Sequence, residues 1–318
     1  MYSAGAAYID RCKRKTVVVD LQLKFPDSFF DEEIRSGYTV TRAQKELWAV
    51  ELDLLNEFDR VCREYGLKYF ADGGTTLGAV RHKGFIPWDD DIDLVMFRLD
   101  YNRLCEIAEK AFHEPYFFQT EITDRGSMRG HAQLRNSNTT GILMAELDMK
   151  LSFNQGIYID VYPLDNVPED ERERRAFIKR ALKKRKLADI YARLSTRYRK
   201  NQLSLIEFMI RACHMLLGRS RNPFYCRYES FIQSWHGPTQ KTGILCLKTI
   251  PDNFILERAW YSETVMMPFE MLEIPVCAGY EAYLSRLYGD WQVPRQNSNM
   301  HGGLFFDADR SYSDYICS

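Results

Sequence analysis

Four aspartates fall within five positions in the stretch ADGGTTLGAVRHKGFIPWDDDIDLVMF, which runs from Ala71 to Phe97, and an apolar run follows them at once. In an extended strand, alternate residues share a face. Asp91 and Asp93 then project together, with Asp89 extending the row, while Ile92, Leu94 and Met96 project the other way into a core. Asp90 points away from Asp91 in this reading and serves as a structural support. Carboxylates crowded at the mouth of a buried strand repel one another and destabilise it unless a cation neutralises them. The chain must therefore build a sheet that tolerates concentrated negative charge at one end.

A second segment offers a matching strand. In GIYIDVYPLD, Ile157, Ile159 and Val161 share one face and Asp160 lies on the other. A neighbouring strand carrying Asp160 would deliver a third carboxylate to Asp91 and Asp93. Oxygen donors of this kind, with no Cys or His at ligand spacing, suit a hard cation such as Mg²⁺ or Mn²⁺. Gly73 and Gly74 lie upstream and allow backbone N–H groups to approach phosphate oxygens. Thr75 and Thr76 open the helical turn that follows, and Arg81, His82 and Lys83 add positive charge for the same ligand. Trp88 precedes the aspartates, where its ring either packs under the loop or stacks on a base or a quaternary ammonium. A run of aspartates is also the ordinary composition of a solvated turn, and paired glycines are commonly only a turn. The combination favours a binding site. An EF-hand is excluded, because its loop requires Gly at the sixth position and Glu at the twelfth.

Helical periodicity marks TRAQKELWAVELDLLNEFDRVCREYGL, in which Thr41 caps the start, Leu47, Val50, Leu54, Phe58 and Val61 recur on one face, and Gly66 stops the helix. Strands are expected in KTVVVDLQLKF, in KYFADGG, in WDDDIDLVMF, in GHAQLRNSNTTGILMA and in GIYIDVYPLD up to Pro163, with a helix in RLDYNRLCEIAEKAF. This alternation predicts an α/β (α+β) mixed sheet flanked by helices. The composition turns strongly basic over 169–202 and then apolar in LSLIEFMIRACHMLLG. The expected divisions are an N-terminal arm (1–40), a catalytic core (41–168), a helical insertion (169–235) and a C-terminal region (236–318) completing the cleft. The basic helix from Arg172 to Lys200 admits three readings: a solvated face, a peripheral contact with anionic lipid, or a guide for an anionic, lipid-linked acceptor.

The bulk numbers narrow the field. With 318 residues, 45% of them hydrophobic, the chain can bury a substantial core, and a net charge of −1 argues against a general nucleic-acid binder. Eight cysteines form no CxxC pair and sit mostly in apolar surroundings, which indicates reduced core residues. No signal-peptide core and no run of about 18 apolar residues is found. The expected location is cytoplasmic, in solution or at the inner face of the membrane.

The run YFADGGTTLGAVRHKGFIPWDDDIDL closely resembles the signature of the LicD family of phosphotransferases, which includes bacterial phosphorylcholine transferases, fukutin and fukutin-related protein. GIYIDVYPLDNVP resembles the family's second block, YLSRLYGDWQVP its C-terminal block, and LLNEFDRVCREYGLKYF its leading helix. The resemblance implies a nucleotidyltransferase fold of the DNA polymerase β kind, with Gly73 and Gly74 at the glycine turn, Asp91 and Asp93 as the DxD pair, and Asp160 as the third carboxylate. Sixteen residues separate Gly74 from Asp91, more than is usual in that superfamily, and Asp89 fits the shorter spacing. Its membership of the ligand set is therefore open. The implied chemistry is transfer of a phospho-alcohol from a CDP-linked donor, CDP-choline foremost, to a sugar hydroxyl of a glycan or lipid-linked glycan, with release of CMP. A quaternary ammonium would call for an aromatic cage, for which Tyr158, Tyr162, Trp88 and Trp291 are available. HAQLRNSNTTGI resembles the segment after the DxD helix. There Arg135 and Asn136 are either phosphate or ribose contacts or a plain strand end, and Gln133 and His131 share a face with Arg135. Asp290, beside Tyr288 and Gly289, and His301 in NMHGG complete the candidate cleft, His301 being either a substrate contact or a loop residue.

Overall fold

The computed structural model describes residues 19–149, 151–196, 209, 222–296 and 303–316. The strand expected in KTVVVDLQLKF lies partly outside these residues, as do the end of the basic segment, the apolar segment that follows it (Met209 excepted) and His301.

Beyond Val18 the arm is not a strand. It runs as irregular chain into a single turn at Asp27–Phe30. A hairpin of β1 (Glu33–Arg35) and β2 (Tyr38–Val40) then leads into helix α1 (Arg42–Tyr65). The Thr41 hydroxyl accepts from the Gln44 N–H at 3.3 Å, and Gly66 closes the helix in the left-handed region at φ 64°. Leu47, Val50, Leu54, Phe58 and Val61 are all buried, as their spacing predicts.

After α1 come β3 (Phe70–Ala71), the short helix α2 (Gly73–Leu77), which runs on through a wider turn to His82, and β4 (Asp93–Phe97). Lys83, at φ 58°, ends that turn. Helix α3 (Arg98–Ala111), β5 (Tyr116–Gln119), β6 (Ala132–Asn136), β7 (Thr140–Leu143) and β8 (Ile157–Asn166) follow. The C-terminal part contributes α4 (Glu171–Thr196), α5 (Pro223–Ile232), β9 (Lys241–Gly243), β10 (Ile255–Glu257), β11 (Thr264–Phe269), β12 (Leu272–Cys277), α6 (Tyr280–Tyr288), β13 (Leu304–Asp307) and α7 (Ser313–Ile316).

The fold is mixed α/β. Its largest sheet has seven strands, with the long β8 at the centre. One edge of β8 pairs in parallel with β4, and β4 pairs antiparallel with β3. The other edge pairs first with β6, up to Val161, and then with β9 from Asp165. Pro163 was expected to end this strand, but β8 continues to Asn166. The Asp160 N–H donates to Ile92 C=O at 2.9 Å, so even-numbered N–H groups face β4 and the position of Pro163 faces the gap between β6 and β9. No ladder bond is lost there. Helix α1 covers one face of the sheet, packing on β8 and β6 through the largest core cluster.

The loop that carries the aspartates is folded back tightly on α2. A Cβ on Gly78 would stand 2.4 Å from the Gly84 carbonyl oxygen and 3.3 Å from the Ile86 nitrogen, both backbone atoms that cannot step aside. Gly78→Ala should therefore destabilise the protein by about 1–3 kcal/mol in urea unfolding, despite the better helix propensity of alanine. An unchanged midpoint would show that this loop yields freely.

Candidate active site

Strand register brings the key carboxylates together. In the parallel β4–β8 pair, Asp93 stands directly opposite Asp160, so their side chains emerge on one face of neighbouring strands about 4.8 Å apart. Burial, followed by the charges of Asp91 and Asp160, pushes the Asp93 carboxyl well above its usual range. Its Oδ1 is buried with no hydrogen-bond partner among the described residues.

The strand begins only at Asp93, and Asp89, Asp90 and Asp91 lie in the loop before it. Strict alternation therefore does not govern them. Asp90 does not point away: it offers a carboxylate oxygen within 4.8 Å of oxygens from Asp89 and Asp91. Helix α1 clamps this loop from beneath. The Gln44 amide donates to Pro87 C=O at 2.8 Å and to Asp89 C=O at 3.2 Å, and Trp48 Nε1 donates to Asp89 C=O at 3.1 Å. The Trp48 ring stacks on Phe85 with centroids 4.5 Å apart and planes 4° from parallel. Below them Glu51, 1% exposed, carries a carboxyl raised well above its usual range by burial and then by Asp91 and Asp90. Sequence reasoning passed over Glu51, Gln44 and Trp48. The available signal was that Glu51 sits four residues after Leu47 and three before Leu54, on the apolar stripe of α1, where a carboxylate is costly without a reason.

The glycine turn meets the same carboxylates. Gly73 adopts φ +46°, and a Cβ placed on it would stand 3.6 Å from Asp93 Oδ2 and 3.6 Å from the Tyr288 hydroxyl. On Gly74 the added Cβ would meet Asp89 Oδ2 at 2.7 Å, so glycine is what lets that carboxylate approach. The turn is fixed from below by Tyr283, whose hydroxyl accepts from Gly73 N–H at 2.7 Å and donates to the buried Asp72 carboxylate. Thr75 faces inward and accepts from the Asp93 N–H at 2.8 Å, while Thr76 is fully buried. Thr75 thus ties the turn to β4, whereas the Thr76 hydroxyl is buried without a partner among the described residues.

Asp160 is wrapped by donors from β6 and from its own strand. The Gln133 amide donates to its Oδ1 at 2.6 Å, His131 Nε2 lies 2.9 Å from the same oxygen, and the Tyr162 hydroxyl donates to Oδ2 at 3.2 Å. Burial pushes this carboxyl up, but His131 and the Gln133 hydrogen bond outweigh it and hold the group below its usual range. Asp160 therefore stays ionised. Arg135, only 1% exposed, donates to Gln119 at 2.6 Å, to Gly156 C=O at 2.6 Å and to the Gln133 side-chain oxygen. Its guanidinium orients Gln133 from behind instead of lying open on the surface.

Other candidates lie apart from this group or are engaged elsewhere. Asn136 is fully buried and pairs with Ile157, three residues along β8 from Asp160, roughly 10 Å away. Arg81 donates to Trp291 C=O at 2.6 Å and to His82 Nε2 at 2.9 Å. Burial, then the charges of Arg81 and Arg35, lower the His82 imidazole to about 4, so it supplies no positive charge at neutral pH. Lys83 and Asp290 are exposed, and Asp290 lies 3.9 Å from Arg295. Trp88 is half-buried, edge-on to Tyr38 and His82. His301 lies outside the described residues.

Against this geometry the comparisons with known proteins agree. The LicD/FKTN/FKRP nucleotidyltransferase domain model matches residues 66–177, a span that holds the glycine turn, the aspartates, β6 and β8. The lipopolysaccharide cholinephosphotransferase LicD of Haemophilus influenzae is 24% identical over 271 residues, 81% of this chain and 95% of that protein. The human and mouse ribitol 5-phosphate transferase FKRP are each 46% identical over 41 residues, 13% of this chain and 8% of theirs. A mixed sheet that gathers carboxylates beside a glycine turn thus defines a phosphotransferase. The chain carries a LicD-type nucleotidyltransferase domain over residues 66–177.

Two measurements test how the site is held. Tyr283→Phe strips Asp72 and Gly73 of a buried partner and should cost about 1–3 kcal/mol in chemical denaturation; a variant as stable as the parent would remove Tyr283 as the prop of the turn. His82 is neutral when folded and binds a proton more readily when unfolded, so its contribution is present above about pH 6.5 and is lost as pH falls through about 4. The stability difference between parent and His82→Gln should shift against the parent over that window, and a pH-independent difference would refute the depressed imidazole.

Proposed function

We propose that this protein transfers a phospho-alcohol, phosphocholine foremost, from a CDP-linked donor to a sugar hydroxyl of a cell-surface glycan precursor, such as lipopolysaccharide, teichoic acid or capsule. The acceptor oxygen bonds to the phosphorus that bears the alcohol, the bond from that phosphorus to the bridging oxygen breaks, and CMP leaves. The observation that carries this reading is the in-register pair Asp93 and Asp160 on β4 and β8, with Asp89 against the glycine turn and Asp91 next to Asp89. The likeness to LicD along most of its length supports it, as does the short likeness to a ribitol 5-phosphate transferase, which keeps polyol phosphates such as ribitol or glycerol phosphate among the alternatives.

The residues fit a divalent cation. Asp93 Oδ1 is buried without a partner, three loop carboxylates bring oxygens within 4.8 Å of one another, and all of these are hard oxygen donors. Asp89, Asp91, Asp93 and Asp160 would hold Mg²⁺ or Mn²⁺, which would neutralise the diphosphate and the charge that develops on it. The protein's own part is positional. Gly73 and Gly74 leave room for phosphate oxygens against the carboxylates, and Gln44 and Trp48 keep the aspartate loop at a fixed height. Asp160, held ionised by His131 and Gln133, orients the acceptor hydroxyl and is a weak proton acceptor. Tyr158 lies under the Arg135 guanidinium at 4.5 Å and Tyr162 under the His131 ring at 4.3 Å, so Trp88 and Trp291 are the aromatic rings left for a choline head group.

A second reading, nucleotidyl transfer with release of pyrophosphate, is favoured by the description of the matching domain. Incubation with a panel of CDP-alcohols, Mg²⁺ and a glycan acceptor separates the two: CMP is expected, and pyrophosphate from a nucleoside triphosphate would replace this reading with the second. Asp91→Asn and Asp93→Asn should each lower CMP release by at least 10³-fold, with an intact fold by circular dichroism. They should also abolish the Mg²⁺-dependent rise in Tm. Full activity in either variant would remove the carboxylates from the chemistry.

A further inference from the structure

Helix α4 carries a second feature, built from opposite charge. Between residues 172 and 186 it holds nine Lys and Arg side chains against one acidic residue, Glu173. Its inner face is anchored: Phe177, Ala181, Ala188 and Ala192 are buried in a cluster with α5, and Arg185 turns inward to donate to Arg129 C=O at 2.8 Å. The outer face is unlike a solvated basic surface. Arg175, Lys179, Lys183 and Lys186 surround a groove of about 370 Å³ floored by Ile178, Leu182 and Ile250. Farther along the same stripe, Leu187 and Ile190 are 52% and 45% exposed. Lys179, Lys183 and Lys186 have no carboxylate within ion-pairing distance among the described residues, and Asp252 is the single acidic residue at the groove.

We propose that this face docks the protein on an anionic phospholipid surface. Cations flanking an apolar strip on one side of a helix match the boundary between head groups and acyl chains: ammonium and guanidinium groups reach lipid phosphates while their methylene stems and the aliphatic side chains enter the apolar layer. Charge complementarity selects this occupant, because a neutral bilayer leaves unpaired lysines beside it, and a purely polar polyanion leaves Leu187 and Ile190 uncovered. No described helix is long and apolar enough to cross a membrane, so the contact lies in the interface plane. The inference goes beyond the transfer reaction, and its test does not require turnover.

Vesicle flotation of the full chain tests it, with phosphatidylcholine alone and with phosphatidylcholine containing phosphatidylglycerol. The protein should float with the anionic vesicles, remain behind with the neutral ones, and be released as salt is raised. The fourfold variant R175Q/K179Q/K183Q/K186Q, which changes only exposed side chains, should lower partitioning on the order of 1,000-fold, and L187S/I190S about tenfold. Equal flotation with both vesicle types overturns the proposal, as does unaltered binding of either variant. Tight binding to a soluble anionic polysaccharide with no flotation would assign the face to a glycan and overturn it likewise.

Discussion

The parallel pairing of β4 with β8 is the constraint on which the rest of the structure depends. It sets Asp93 against Asp160 across a single strand spacing. Two carboxylates so placed repel, and the burial that surrounds them strengthens the repulsion by keeping water out. Such an arrangement persists only where the strands are held by something indifferent to that charge. Here it is the apolar face of the same strands: Leu94 and Met96 on one, with Ile92 just before it, and Ile157, Ile159 and Val161 on the other, all packed into the core under α1.

The supports around the acidic group are arranged so that each carboxylate has a fixed backbone or a fixed set of donors. Helix α1 holds the loop of Asp89 to Asp91 by its carbonyls, leaving the side chains to face the site. Tyr283, from a helix more than two hundred residues away in sequence, bridges Asp72 and Gly73 and so couples the C-terminal region to the glycine turn. Arg135, for which the sequence left open a ligand contact or a plain strand end, is buried behind the site and orders Gln133 through its guanidinium. Its five N–H donors suit that task, because a planar fork can satisfy three acceptors at once.

A net charge of −1 conceals two separated fields. The acidic residues gather at the start of β4, in the loop before it and at Asp160 within β8, while the cations concentrate on α4. An acidic pocket attracts cations and repels phosphates, so a metal-free site and an anionic donor are poorly matched on their own. The reading of a hard cation between them resolves that mismatch, and the basic helix supplies the attraction for a charged surface elsewhere on the molecule.

Much was legible in the sequence because it is periodic. The apolar stripe of α1, the cap at Thr41, the stop at Gly66 and the alternation in β8 follow from the geometry of one helix or one strand, and each needs only local residues. What alternation misjudged was Asp90, since the chain is not yet a strand at that point, and Pro163, since the vacancy that excuses it belongs to two other strands. The standing of Glu51, Gln44, Trp48 and Tyr283 beneath the site could not be read from spacing, because their partners lie tens to hundreds of residues away. The sequence by itself determined that Asp160 would lie on the face of its strand opposite Ile157, Ile159 and Val161. Only the tertiary structure decided that β8 runs parallel beside β4, and in which register. Strand pairing is a contact between distant segments, and a shift of one residue would have turned Asp160 into the core.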